Sequence, residues 1–114
     1  VERVRDGLAA HFAARWRSLA DHPLVGETRS LGLLGALELV PAKPSRRFFA
    51  NRGDVGTACR DLCVANGVIS RAVRDTMIVA PPLVITPAEI DELVARVARA
   101  LDQTAALVAR EGWN

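Results

Sequence analysis

Aromatic residues are scarce in this chain: three Phe, two Trp and no Tyr among 114 residues. Lysine is almost missing, since Lys43 is the only one and nearly all positive charge is arginine. No apolar run exceeds a few residues, which excludes a transmembrane helix. The N-terminus carries no secretory pattern. Neither sign of charge dominates, with a formal net charge of +2 spread along the chain. No basic block or aromatic ladder is present, which argues against a nucleic-acid partner. Cysteine is limited to Cys59 and Cys63, four residues apart. A zinc site needs about four ligands, and His11 and His22 lie far upstream, so no metal is expected. An i,i+4 pair on a helix is also poorly oriented for a disulfide. The two thiols read as small buried hydrophobes in a reducing cytosol, which makes the expected location cytoplasmic.

What the chain does have is aliphatic material. Half of its residues are hydrophobic, chiefly Ala, Val and Leu. Its length fits one domain over residues 1–114. Many aliphatics with few aromatics suit helices packed on a small sheet. They also suit a domain with a second apolar face turned to a partner domain.

The periodicities place the elements. Val1, Val4, Leu8, Phe12, Trp16 and Leu19 recur at spacings of three and four and predict a helix over 1–19. Asp21-His22-Pro23 ends it. His22 is expected as a structural capping residue rather than a base. Residues 28–40 read as one strand, with Leu31, Leu33, Leu37 and Leu39 on one face. Gly32 and Gly35 permit a bulge or the close approach of another backbone. The segment 41–52 reads as an excursion in which Phe48 and Phe49 cover an apolar edge. A second helix spans 54–66, with Asp54 as N-cap and Asn66-Gly67 at its end. Val68-Ile69 is a short strand leading to Arg71, and residues 77–80 form another before Pro81-Pro82. Thr86-Pro87-Ala88-Glu89 is a capping box with Pro at the first helical position, opening a helix that Gly112 ends. The expected fold is α+β: a small three-stranded, mainly antiparallel sheet with about three helices on one face.

Arg71 is the first candidate site residue. Its guanidinium is planar, permanently charged and shaped to hold a carboxylate through two hydrogen bonds. At a strand end beside a turn it can swing into a cleft. Equally, it can sit on the surface and pair with Asp75. Asp75 can hold Arg71 in place, or serve the turn by bonding to nearby backbone. Arg74 before it is strained if that turn needs a positive φ. Arg29 is read as an ion-pair residue or a contact with a partner domain.

Two blocks carry a family resemblance. One is His22-Pro23-Leu24-Val25-Gly26-Glu27-Thr28-Arg29-Ser30-Leu31-Gly32-Leu33-Leu34-Gly35-Ala36-Leu37-Glu38-Leu39. The other runs from Gly67 through Arg71-Ala72-Val73-Arg74-Asp75 and Pro81-Pro82-Leu83-Val84-Ile85-Thr86 to Glu89. At this separation they resemble the C-terminal segment of class III (ω-type) pyridoxal-phosphate-dependent aminotransferases. The likeness covers about residues 1–108. Two positions depart from the pattern: Ser30 stands where Gly is usual, and Arg74 where a small residue is.

The resemblance implies the small domain of a fold-type I enzyme. Arg71 would pair with the substrate carboxylate at the rim of the active site, with Asp75 beside it as the second residue of the substrate-binding site. The parent enzyme would pass an amino group from an amine or amino acid to a keto acid such as pyruvate, as a homodimer. It also implies that the catalytic residues and the pyridoxal 5'-phosphate site belong to an upstream large domain outside this chain. The residues agree with that. Lys43 lies between Ala42 and Pro44 in a polar excursion, unlike a desolvated Schiff-base lysine. No Gly/Ser-rich turn opens a helix to cradle a phosphate. The chain opens on Val1 within a helical pattern and reads as a piece of a longer protein, inactive alone. Two other readings stay open: an aminomutase or decarboxylase on the same scaffold, and a stand-alone α+β interaction domain.

Overall fold

In the computed structural model, which describes residues 2–41, 49, 51, 53–81 and 85–113 (backbone only for 2–6), segment 28–40 is not a single strand. Strand β1 (Val25–Leu31) turns at Gly32-Leu33 into β2 (Leu34–Leu39). Gly32 makes this possible with φ 58°, a left-handed value that costs glycine little. The expected three-stranded sheet is therefore corrected to four strands, in the order β1-β2-β4-β3. The other two are β3 (Arg71–Val73) and β4 (Thr76–Val79), and every neighbouring pair is antiparallel.

The turn also reverses the phase of the leucines. In β2 the odd-numbered positions Gly35, Leu37 and Leu39 are buried. Across the hairpin Ser30 pairs with Gly35 and Leu31 with Leu34, so in β1 the odd positions face the other way. Leu31, expected beside Leu37 and Leu39, is 81% exposed on the open face. A bulge between Val25 and Glu27 restores the phase and buries Val25 opposite Leu39.

Helix α1 (Glu2–Arg17) continues as a 3-10 turn over Ser18–Asp21 and stops before Pro23. Its Phe12 and Trp16 rings stack 5.4 Å apart and are buried. Each such ring contributes about 1.5–3 kcal/mol through burial. A β-carbon at Gly35 would collide with Trp16, so what closes on this glycine is a ring rather than another backbone. The Trp16 indole N–H donates to the Ala36 carbonyl at 3.1 Å.

Helix α2 (Asp54–Ala65) corrects a second expectation. Its N-cap is Gly53, at φ 105° and without a side-chain cap, while Asp54 is already helical. Gly67, at φ 82°, follows its end. Helix α3 (Pro87–Glu111) begins and ends as expected. Thr86 Oγ1 accepts from the Glu89 N–H at 3.2 Å, and Glu89 Oε1 accepts from the Thr86 N–H at 3.0 Å. Gly112 closes it at φ 68°.

The core lies between one face of the sheet and the helices. Helix α1 packs on β1, α2 on β3 and β4, and α3 on both other helices. Leu37, Leu39, Met77 and Val79 meet Phe12, Trp16, Val55, Ile90, Val97 and Leu101 there. Two histidines tie the first helical segment to α3. His11 Nε2 lies 2.8 Å from Asp91 Oδ1, and His22 Nε2 lies 2.9 Å from Asp102 Oδ1. His22 Nδ1 also accepts from the Leu24 N–H at 3.1 Å, so its proton is on Nε2. Phe49 belongs to the core. Val1, Lys43, Phe48 and Pro82, all named above, lie outside the described residues. No described helix is long and apolar enough to cross a membrane.

Candidate substrate-carboxylate site

Residues 68–70 belong to no ladder, so Arg71 opens β3 rather than following a strand. That strand is a three-residue edge, hydrogen-bonded to β4 alone. Its register pairs Arg71 with Ile78, Ala72 with Met77 and Val73 with Thr76. Met77 is buried, which turns Ala72 inward and leaves Arg71 and Val73 on the open face. Arg71 is exposed, and its side chain makes no hydrogen bond or ion pair among the described residues.

The same register carries on across the sheet. Ile78 pairs with Ala36, and Ala36 with Arg29. One cross-strand row, Arg71–Ile78–Ala36–Arg29, therefore spans all four strands with a cation at each edge. Three strand spacings separate the ends, about 14 Å. The two cations differ in state. Arg29 Nη1 donates to Glu27 Oε2 at 3.0 Å, whereas the Arg71 guanidinium has no partner among the described residues. Beside Arg29 the face forms a hollow of about 350 Å3, walled by Leu31, Leu34, Ala36 and Ile78. Chemically, the face presents an exposed guanidinium, Arg71, that is unpaired among the described residues, and apolar surface.

Asp75 is not brought to Arg71. It is 7% exposed, and its Oδ1 accepts from the Gly53 N–H at 3.1 Å and the Gly56 N–H at 2.9 Å. The carboxylate thus caps α2, whose own N-cap residue has no side chain to do so. Between the two lies Arg74 at φ 56°, the one non-glycine residue at positive φ among those described. The turn does take a positive φ there, which is the condition on which strain at Arg74 depended. Gly53 and Gly56 were not singled out from the sequence, and the available signal was weak: a helix start preceded by glycine instead of a capping side chain.

No protein-family model matches the chain. A putrescine–pyruvate aminotransferase of Pseudomonas aeruginosa is 53% identical over 108 residues, covering 95% of this chain and 24% of that protein. The chain belongs, as a C-terminal segment, to the class III aminotransferases. A mitochondrial gamma-aminobutyrate transaminase of Solanum lycopersicum is 36% identical over 91% of the chain and 20% of its own length. The omega-transferase of Vibrio fluvialis superposes with a TM-score of 0.87 at 34% identity, over 96% of this chain and 26% of that one. The chain thus spans about a quarter of the length of the relatives it matches.

Aminotransferases work with pyridoxal 5'-phosphate, and the described residues of this segment do not fit it. None is a lysine. The N-terminus of α2 is occupied by Asp75 and that of α3 by its own capping box, so neither is open to a phosphate. No group of three or more His, Cys, Asp or Glu could hold a metal among the described residues. Cys59 and Cys63 are buried side by side on α2. Hydrogen bonding to Cys63, and then burial, push the Cys59 thiol far up.

Proposed function

We propose that this chain is the C-terminal small domain of an ω-type aminotransferase, and that Arg71 binds the carboxylate of the amino or keto acid. The observation that carries this is the state of Arg71: exposed and unpaired, with its backbone held by the β4 ladder. The parent enzyme moves an amino group onto a keto acid such as pyruvate. Likeness to the putrescine–pyruvate aminotransferase favours a primary aliphatic amine or diamine as donor. The transaminase relatives favour this reading over an aminomutase or decarboxylase.

In this reading residues 1–114 form one domain, and the open sheet face seats the large domain that precedes it. Leu31, Leu34 and Val73 on that face are 81%, 43% and 52% exposed, which is apolar surface suited to burial. The large domain supplies the lysine and the phosphate cradle, and the working unit is a cytoplasmic homodimer.

Arg71→Ala in the full-length enzyme tests the assignment. Single-turnover kcat/KM for pyruvate or alanine falls about 10- to 100-fold, or about 1.4–2.8 kcal/mol. The half-reaction of putrescine, which has no carboxylate, changes much less. Equal losses on both sides would make Arg71 a structural residue.

A further inference from the structure

The hairpin that carries Arg71 is fixed from two sides. On the sheet side, the Leu39 N–H donates to the Asp75 carbonyl at 2.9 Å, next to the Glu38–Thr76 pair. On the helix side, Asp75 Oδ1 takes two N–H groups from the first turn of α2. Beside it the α2 backbone meets the turn directly. A β-carbon on Gly56 would collide with the Arg74 carbonyl, and one on Gly53 would lie 3.8 Å from the Arg74 Cα. The two-residue turn Arg74-Asp75 is thus held between a helix terminus and a strand.

Arg71 depends on that arrangement more than a residue in a central strand would. Strand β3 is three residues long and has one hydrogen-bonded neighbour, so its ladder alone restrains it weakly. Asp75 lies four residues along the chain from Arg71. Its two bonds come from an anion facing the positive end of a helix, which strengthens them. The bond from the Gly56 N–H is buried and the one from the Gly53 N–H is part-buried.

We propose that Asp75 is a positioning residue: through its bonds to the Gly53 and Gly56 N–H groups it locks the β3–β4 turn on α2 and thereby sets where Arg71 reaches. This rests on the assignment of Arg71 as the carboxylate-binding residue. Misplacement of about 1 Å at a binding group can cost on the order of 100-fold in rate. Loosening the turn by less than that is expected to cost about tenfold, on the carboxylate substrate only.

The test is a double-mutant cycle in the full-length holoenzyme between Asp75→Ala and Arg71→Ala. Single-turnover kcat/KM is read for pyruvate and, separately, for putrescine. In the wild-type background Asp75→Ala raises the pyruvate KM and lowers its kcat/KM about tenfold, while putrescine is little affected. In the Arg71→Ala background Asp75→Ala adds nothing to the pyruvate defect. Asp75→Asn keeps an oxygen acceptor at the same place and restores most of the pyruvate activity. If Asp75→Ala does not accumulate as folded enzyme, Asp75→Ser takes its place in the cycle, with an acceptor that is present but withdrawn. Additive pyruvate losses, or equal losses for both substrates, overturn the positioning role. If Arg71→Ala itself shows no selective defect, the assignment of Arg71 fails first. A selective defect in Arg71→Ala with none in the Asp75 variant overturns this inference alone.

Discussion

Gly56 and Arg74 meet backbone to backbone. The first turn of α2 lies so close to the Arg74 carbonyl that no β-carbon fits on Gly56. A helix disfavours glycine, so its presence as the third residue of α2 answers a packing demand. The opposing atom belongs to the backbone of a constrained turn and cannot swing away as a flexible side chain would.

Gly56→Ala is therefore expected to destabilise the fold by about 3 kcal/mol, although alanine is the better helix former. Urea denaturation of the 114-residue chain measures this. A midpoint equal to wild type would mean that the turn has room to retreat.

Arg74→Gly should act in the opposite direction. A left-handed L-residue costs about 1–2 kcal/mol, and the extra flexibility of an unfolded glycine returns about 0.5–1 of that. A net gain of about 0.5–1 kcal/mol is expected in the same denaturation assay. A loss of stability would show that the Arg74 side chain contributes more than its backbone geometry costs.

Stability should fall as pH rises above about 9, the ordinary pKa of Cys59. Hydrogen bonding to Cys63 and burial raise the Cys59 pKa in the folded state. The folded pair therefore keeps a proton that the unfolded chain releases. The contribution of this proton is fully present below the unfolded pKa and is lost at up to about 1.4 kcal/mol per pH unit above it. Cys59→Ala should flatten the fall between about pH 9 and 10.5. An unchanged slope in that variant would assign the effect to other groups.

Leu31→Lys separates the fold from the proposed domain contact. Leu31 is 81% exposed, so the substitution should change the stability of the isolated chain by no more than about 0.5 kcal/mol. In the full-length protein a lysine buried against the large domain should lower the melting temperature measurably. Equal melting temperatures for variant and wild-type full-length protein would leave the open face without its proposed occupant.

Helix α3 was legible because all its signals are local. Thr86, Pro87 and Glu89 satisfy the first turn from within four residues, and Gly112 ends the helix by its own conformational freedom. The α+β class and the outer helix boundaries follow from similar short-range periodicity. The extra strand was not legible in the same way. Leucine recurs on both sides of Gly32, and a single glycine marks the reversal that turns one apparent strand into two.

Arg71 could be chosen from its chemistry and its family pattern, because a guanidinium at a strand end is visible in the sequence. Where Asp75 points could not be read the same way. Its acceptor oxygen is matched to N–H groups 22 and 19 residues earlier, and only packing α2 beside the hairpin brings them together. Residue types, helical periods and caps are set by neighbours along the chain, so the sequence by itself determined them. The phase of β1, the partner of Asp75 and the unpaired state of Arg71 each depend on which distant segment comes to lie alongside. Only the tertiary structure decided those, because burial and hydrogen-bond geometry act through space and not along the chain.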